Sequence, residues 1–170
     1  MTIKIHRSEG RSRPAGVIAM GWLVAATAIV ALPLSAAMAD DGHTMLTPGD
    51  IEWSPAPPSV PEGAESALIY GNPGEAELFA LRLRFPAGYH LPPHTHPRPE
   101  VVTVISGTIQ FGKGPDADPD ATEAFGPGSF IAFEPGTVHY VYTDEETVIQ
   151  LNSTGPWALE YVNADDDPRS

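Results

Sequence analysis

Beyond residue 67 the apolar residues come in short bursts at every other position, and the bursts are separated by glycine and proline. Residues 78–85 show the pattern best. Leu81, Leu83 and Phe85 alternate with Arg82 and Arg84, as in a strand with one face buried and the other in water. Residues 101–105 form a second run, and Ser106-Gly107 followed by residues 108–111 predicts a hairpin. Further runs at 129–133, 138–143, 147–151 and 158–162 keep the rhythm, and no stretch carries apolar residues at helical spacing long enough for a helix. The predicted class is all-β, a sandwich or a barrel. Residues 112–121 hold Pro115, Asp116, Asp118, Pro119 and Asp120 and read as a solvated loop. Residues 163–170, with Asp165-Asp166-Asp167, read as a solvated acidic tail.

The first 39 residues follow a different rule. Lys4, Arg7, Arg11 and Arg13 make a basic start, a continuous apolar run follows over 15–34, and Ala37-Met38-Ala39 places small residues where a signal peptidase reads them. An export signal cleaved before Asp40 is the expectation, with the chain periplasmic or secreted and without stable membrane association thereafter. The alternative is an uncleaved anchor, since the run approaches the roughly 20 residues that span a bilayer. Residues 40–66 carry Pro48, Pro55, Pro57, Pro58 and Pro61 and are expected to form an extended lead-in; Ile51 and Trp53 could pack it onto the barrel or a neighbouring subunit, and an exposed aromatic in a linker is the plainer reading. Residues 67–162 are then one domain, long enough for one core and too short for two.

Charge sharpens this picture. The whole chain carries −13; loss of residues 1–39 removes four of nine Lys+Arg and one of 22 Asp+Glu, leaving −16. So acidic a surface excludes nucleic acid as a partner and repels anionic lipid. There is no cysteine, so an oxidising compartment offers no disulfide, and stability rests on core packing and on a metal where one binds.

Of the six histidines, three fall close together at His90, His94 and His96. His94 and His96 are two apart, so on a strand both imidazoles leave the same face. Glu100 shares their parity at the start of an apolar run, where a solvated edge residue is its other reading. His139 opens the run at 138–142 after Glu134-Pro135-Gly136, and a lone histidine in that position is ordinarily a satisfied barrel residue. Three imidazoles and one carboxylate would suit one divalent transition metal, Mn, Fe, Co, Ni, Cu or Zn, and suit Mg or Ca poorly. Four protein ligands would leave up to two open positions for water, substrate or dioxygen.

The order and spacing of these residues resemble the two motifs of the cupin superfamily. The first reads Gly88, five residues, His94-Thr95-His96, three residues, Glu100, six residues, Gly107. The second reads Gly128, five residues, Glu134-Pro135-Gly136, two residues, His139. It departs from the family pattern twice, with Glu134 at a position usually held by proline and Thr143 at one often held by asparagine. The resemblance covers 67–162 and implies a single-domain, small jelly-roll (cupin) β-barrel of an exported bacterial kind. Such barrels are often homodimeric, with one metal held by His94, His96, Glu100 and His139.

Beside the metal, the sequence offers His90, by its parity with His94, as a base, against the plainer reading of an exposed histidine before the Pro-Pro turn, and Gln150 as a hydrogen-bond donor in the pocket, against an equal reading on a solvent-facing strand face. The run of Val102, Val104, Ile131 and Phe133 predicts a mostly apolar pocket for a small organic molecule. A metal-dependent oxygenase is the favoured reading. A redox-neutral lyase or isomerase and a non-catalytic exported metal or small-ligand binder are its competitors.

Overall fold

The structure is a computed structural model and describes residues 42–170; the predicted export signal, 1–39, lies outside the described residues. The described chain is built from eleven strands: β1 (Ser54–Pro55), β2 (Glu65–Tyr70), β3 (Leu78–Phe85), β4 (Tyr89–Thr95), β5 (Glu100–Ser106), β6 (Ile109–Lys113), β7 (Glu123–Phe125), β8 (Phe130–Phe133), β9 (His139–Thr143), β10 (Thr147–Thr154) and β11 (Glu160–Tyr161). They form two antiparallel sheets, one in the order β1-β2-β3-β10-β5-β8 and the other in the order β11-β4-β9-β6-β7. The class is all-β, as the alternating pattern predicts, and the form is a jelly roll, as the resemblance implies. No helix among the described residues is long and apolar enough to cross a membrane.

The alternation in β3 is realised as read. Leu81, Leu83 and Phe85 are buried, while Arg82 and Arg84 lie on the outer face. Register carries the same parity across the sheet, with Ile149 opposite both Leu83 and Val104, and Leu151 opposite both Leu81 and Val102. From the second sheet, Leu91, Ile109, Phe111 and Val141 complete one core. Each of these side chains, once buried, contributes about 1.5–3 kcal/mol toward folding.

The hairpin predicted at Ser106-Gly107 does not form. β5 is flanked on both sides, by β10 and β8, while β6 pairs with β7 and β9 in the other sheet. The chain therefore crosses between sheets at this turn. Val102 and Val104 before it, and Ile109 and Phe111 after it, face one core either way, so the hydrophobic pattern fits a crossing as well as a hairpin. Gly107 adopts φ +72°, and a Cβ there would run into the backbone of Glu146 and Thr147. β6 instead turns back through the acidic loop, which begins after Lys113 and contains a 3-10 turn at Pro119–Ala121, to the short strand β7.

The lead-in is more closely bound than an arm. β2 begins two residues before the expected boundary at Ala67 and pairs with β1, and Val60 and Ala64 are in the core. Trp53 lies under the guanidinium of Arg84, 4.4 Å from its ring centre, and Arg84 Nε donates to Glu65 at 2.6 Å. At the other end Arg169 donates to the carbonyl of Leu159 at 3.2 Å, which folds the predicted tail back onto the domain.

Gly107→Ala is expected to destabilise the domain by about 2–4 kcal/mol, the left-handed backbone and the overlap acting together. Urea unfolding measures this, and a change below about 0.5 kcal/mol would contradict the account of the crossing.

Candidate metal centre

His94 and His139 face each other across the β4–β9 pair. Two sequence features bring them there. Between Leu91 and His94 the β4 register shifts by one residue, because Leu91 pairs with Val141 and His94 with His139. The extra residue falls at Pro92-Pro93, where a missing N–H costs no ladder bond. The bulge reverses parity, so Leu91 and His94 both point inward. On the β5 side Glu100 opposes Phe133 at the same end of the barrel, and Gly136 N–H donates to the His96 carbonyl at 2.9 Å, tying the two motif segments together.

The three imidazoles are held at the edge by hydrogen bonds and on the face by rings. His94 Nδ1 lies 2.7 Å from the Pro92 carbonyl, His96 Nδ1 2.8 Å from that of Ala158, and His139 Nδ1 3.0 Å from that of Thr137. A carbonyl oxygen can only accept, so each Nδ1 carries the proton and each Nε2 presents a lone pair inward. Trp157 stacks on His96 at 4.7 Å between ring centres, and Phe133 on His139 at 4.1 Å. One ligand atom from each histidine lies within 4.8 Å of the others. Glu100 Oε2 sits 3.2 Å from His96 Nε2 and 3.1 Å from His139 Nε2.

This convergence is electrostatically incomplete without a cation. All four side chains are buried, and His96 Nε2 and Glu100 Oε2 have no hydrogen-bond partner. Burial, followed by the neighbouring His139 and His96, pushes His94 down to about 3, so it is neutral at ordinary pH. Burial opposes a charge on His96, yet the Glu100 carboxylate outweighs it and raises that imidazole. Burial likewise opposes the Glu100 charge, but His139 and His96 hold its carboxyl well below the usual carboxylate range. Lone pairs facing a carboxylate at about 3 Å need a proton or a metal ion between them. Zn or a similar ion about 2.0–2.2 Å from each nitrogen and oxygen is of the right size. The residues present therefore fit a divalent transition metal.

Around the four polar groups the cavity is tight, about 20 Å³, enough for an ion and a water, and every other lining side chain among the described residues is non-titratable, including Leu83, Phe85, Leu91, Val102, Val141 and Ile149. Two residues expected in the pocket are not there. His90, on the far side of the bulge, faces outward and stacks on Tyr142 at 4.3 Å. Gln150 lies on the outer face of its sheet, where it accepts from Arg82 Nε at 3.2 Å, because Ile149 and Leu151 take the inward positions. Conversely, Val60, Trp157 and Leu159 line the cavity from outside the two motifs, and no periodic signal marks Val60 or Trp157. The two departures from the family pattern are accommodated locally. Glu134 accepts from Thr137 N–H at 3.1 Å through its carbonyl, and buried Thr143 donates to the Pro86 carbonyl at 2.8 Å.

Residues 81–152 match the model of the cupin domain family. Over 93 residues the chain is 30% identical to germin-like protein 4-1 of Oryza sativa subsp. japonica; the match takes in 49% of this chain and 37% of that protein, so it spans little more than a third of the relative. The polyketide cyclase RemF from Streptomyces resistomycificus shares the fold at a TM-score of 0.61 and 18% identity, over 74% of this chain and 89% of that one. An acetylacetone dioxygenase from Acinetobacter johnsonii does so at 0.55 and 16%, over 74% and 80%. Over strands β3 to β10 the chain is thus similar to the cupin domain family, and its jelly-roll topology agrees with that likeness.

Proposed function

We propose that this chain is an exported, single-domain cupin that holds one divalent transition metal through His94, His96, Glu100 and His139. We further propose that it acts as a metal-dependent oxygenase on a small apolar organic molecule. The observation that carries the reading is the clustering of three inward imidazoles, two of them with Nε2 against a buried carboxylate, with every Nδ1 already committed to a backbone carbonyl. Such a metal, when bound, supplies Lewis acidity and, for a redox-active ion, dioxygen chemistry.

The chain's own residues do the rest. The carbonyls of Pro92, Ala158 and Thr137 fix the tautomers and the ring planes. Glu100 supplies the one negative charge among the lining residues. The apolar wall excludes water and favours a hydrophobic ligand over a phosphorylated one. Since no further titratable side chain lines the cavity, a proton released there has Glu100 or the ligand itself as acceptor. That scarcity weighs against a redox-neutral lyase or isomerase, which needs a placed acid and base. The same scarcity supports a second reading, a non-catalytic metal or small-ligand binder.

The purified, metal-loaded protein is expected to contain one transition-metal ion per chain and to consume dioxygen with at least one member of a panel of phenolic and dicarbonyl compounds. Elemental analysis and an oxygen electrode measure both; metal without turnover would favour the binder, and no metal after reconstitution would sink both readings. His96→Ala is expected to lose metal affinity by well over about 100-fold and, at saturating metal, to lose the linked stabilisation of about 3 kcal/mol. Unchanged stoichiometry would show that the pair His94/His96 is not the site. Export is expected to yield a mature chain beginning at Asp40. N-terminal sequencing of the protein from the cell exterior or periplasm decides this, an intact Met1 terminus arguing for the anchor.

A further inference from the structure

The wall of the metal cavity is not uniform. Most of it is strand, but on one side Val60, Trp157 and Leu159 close it from segments outside the two sheets. The loop that carries Val60 has an unusual set of ties. Its neck is shut by the β1–β2 pair and by Ala56 N–H donating to the Ala64 carbonyl at 3.0 Å. Between those points, residues 57–63 include Pro57, Pro58 and Pro61, which have no N–H to give. Within this stretch the backbone bond is a local one, Val60 N–H to the Pro57 carbonyl at 2.8 Å. The loop is held onto the barrel by two tyrosine hydroxyls, Tyr89 donating to the Pro61 carbonyl and Tyr161 to the Ser59 carbonyl, each at 2.7 Å.

The two bonds flank Val60 on either side. Pro57, Pro58, Glu62 and Gly63 are exposed while Val60 is 5% exposed, so the loop is a surface excursion with a single side chain pressed into the domain. Val60 also lines a groove on the outside of the loop together with Pro55, Pro58 and Gly63, so the wall is one residue thick there. Both hydroxyls belong to rings fixed elsewhere. Tyr89 stacks on Phe85 at 5.0 Å, and Tyr161 sits 6.2 Å from His94 between ring centres. Burial, with Asp167 next, raises Tyr161 to about 12, and burial raises Tyr89 too, so both stay protonated donors across the working range.

We infer that residues 57–63 form a lid over the metal cavity, closed by Val60 and latched by the hydroxyls of Tyr89 and Tyr161, and that small apolar ligands enter by its displacement. The inference rests on the metal-cavity reading proposed above. A stretch tied to the barrel by one buried valine and two neutral hydrogen bonds opens at lower cost than a paired strand, and each such hydrogen bond is worth about a factor of five in the equilibrium. The prolines keep the displaced loop from collapsing into alternative structure.

The test uses the full exported chain and the variants Tyr89→Phe, Tyr161→Phe and the double variant, which keep both rings and remove only the latches. Hydrogen exchange by mass spectrometry reads the amides of Ser59, Val60, Glu62 and Gly63 against those of residues 101–105. Zinc release to excess chelator reads access to the site. Each single variant is expected to speed exchange in the loop by about fivefold, the double variant more, with residues 101–105 unchanged, and to speed zinc release by a similar factor. Loop exchange unchanged in the double variant, or raised equally in residues 101–105, would overturn the lid. Faster loop exchange with unchanged zinc release would overturn the entry route. If the wild-type chain binds neither zinc nor another divalent transition metal, the functional reading fails, and the exchange measurement alone decides the lid.

Discussion

Three buried imidazoles gather at one point, and two of them turn Nε2 toward a buried carboxylate, an arrangement that calls for a positive charge among them. Each Nδ1 is spent on a backbone carbonyl, and the Nε2 lone pairs of His96 and His139 lie 3.2 and 3.1 Å from Glu100. Repulsion between these groups in a medium of low polarity would cost several kcal/mol. A divalent ion held there would remove it, and folding would then be coupled to metal loading.

Much of the architecture serves to hold those four groups to that point. The bulge at Pro92-Pro93 turns His94 inward, and the facing strand supplies His139 in register. The crossing at Gly107 lets β5, which begins with Glu100, sit in one sheet while the strands bearing His94 and His139 sit in the other. Stacked rings of Trp157 and Phe133 then fix the imidazole planes of His96 and His139. An apolar cavity with four polar groups at one end is the outcome, and its weak side is the loop that carries Val60.

The strands and the four site residues were legible because they obey short-range rules. Alternation in residues 78–85 marks an inward face whatever the topology, and the parity of His94, His96 and Glu100 survives because the bulge lies before all three. What the sequence hid depends on partners distant in the chain. The turn at Ser106-Gly107 has the composition of a hairpin, and the crossing is decided by β10 and β8 already occupying both edges of β5. His90 was misplaced by the same bulge that places His94, and Gln150 by a parity count that only the pairing with β3 and β5 can settle. Val60 and Trp157 carry no periodic signal because they reach the cavity from segments outside the two sheets.

The central claim is that one ion sits where the four side chains meet. Anomalous diffraction at the absorption edge of the loaded metal tests it most directly. A single strong peak about 2.0–2.2 Å from Nε2 of His94, His96 and His139 and from a Glu100 carboxylate oxygen is the predicted result. A peak bound through any Nδ1, or one lying away from this cluster, would contradict it.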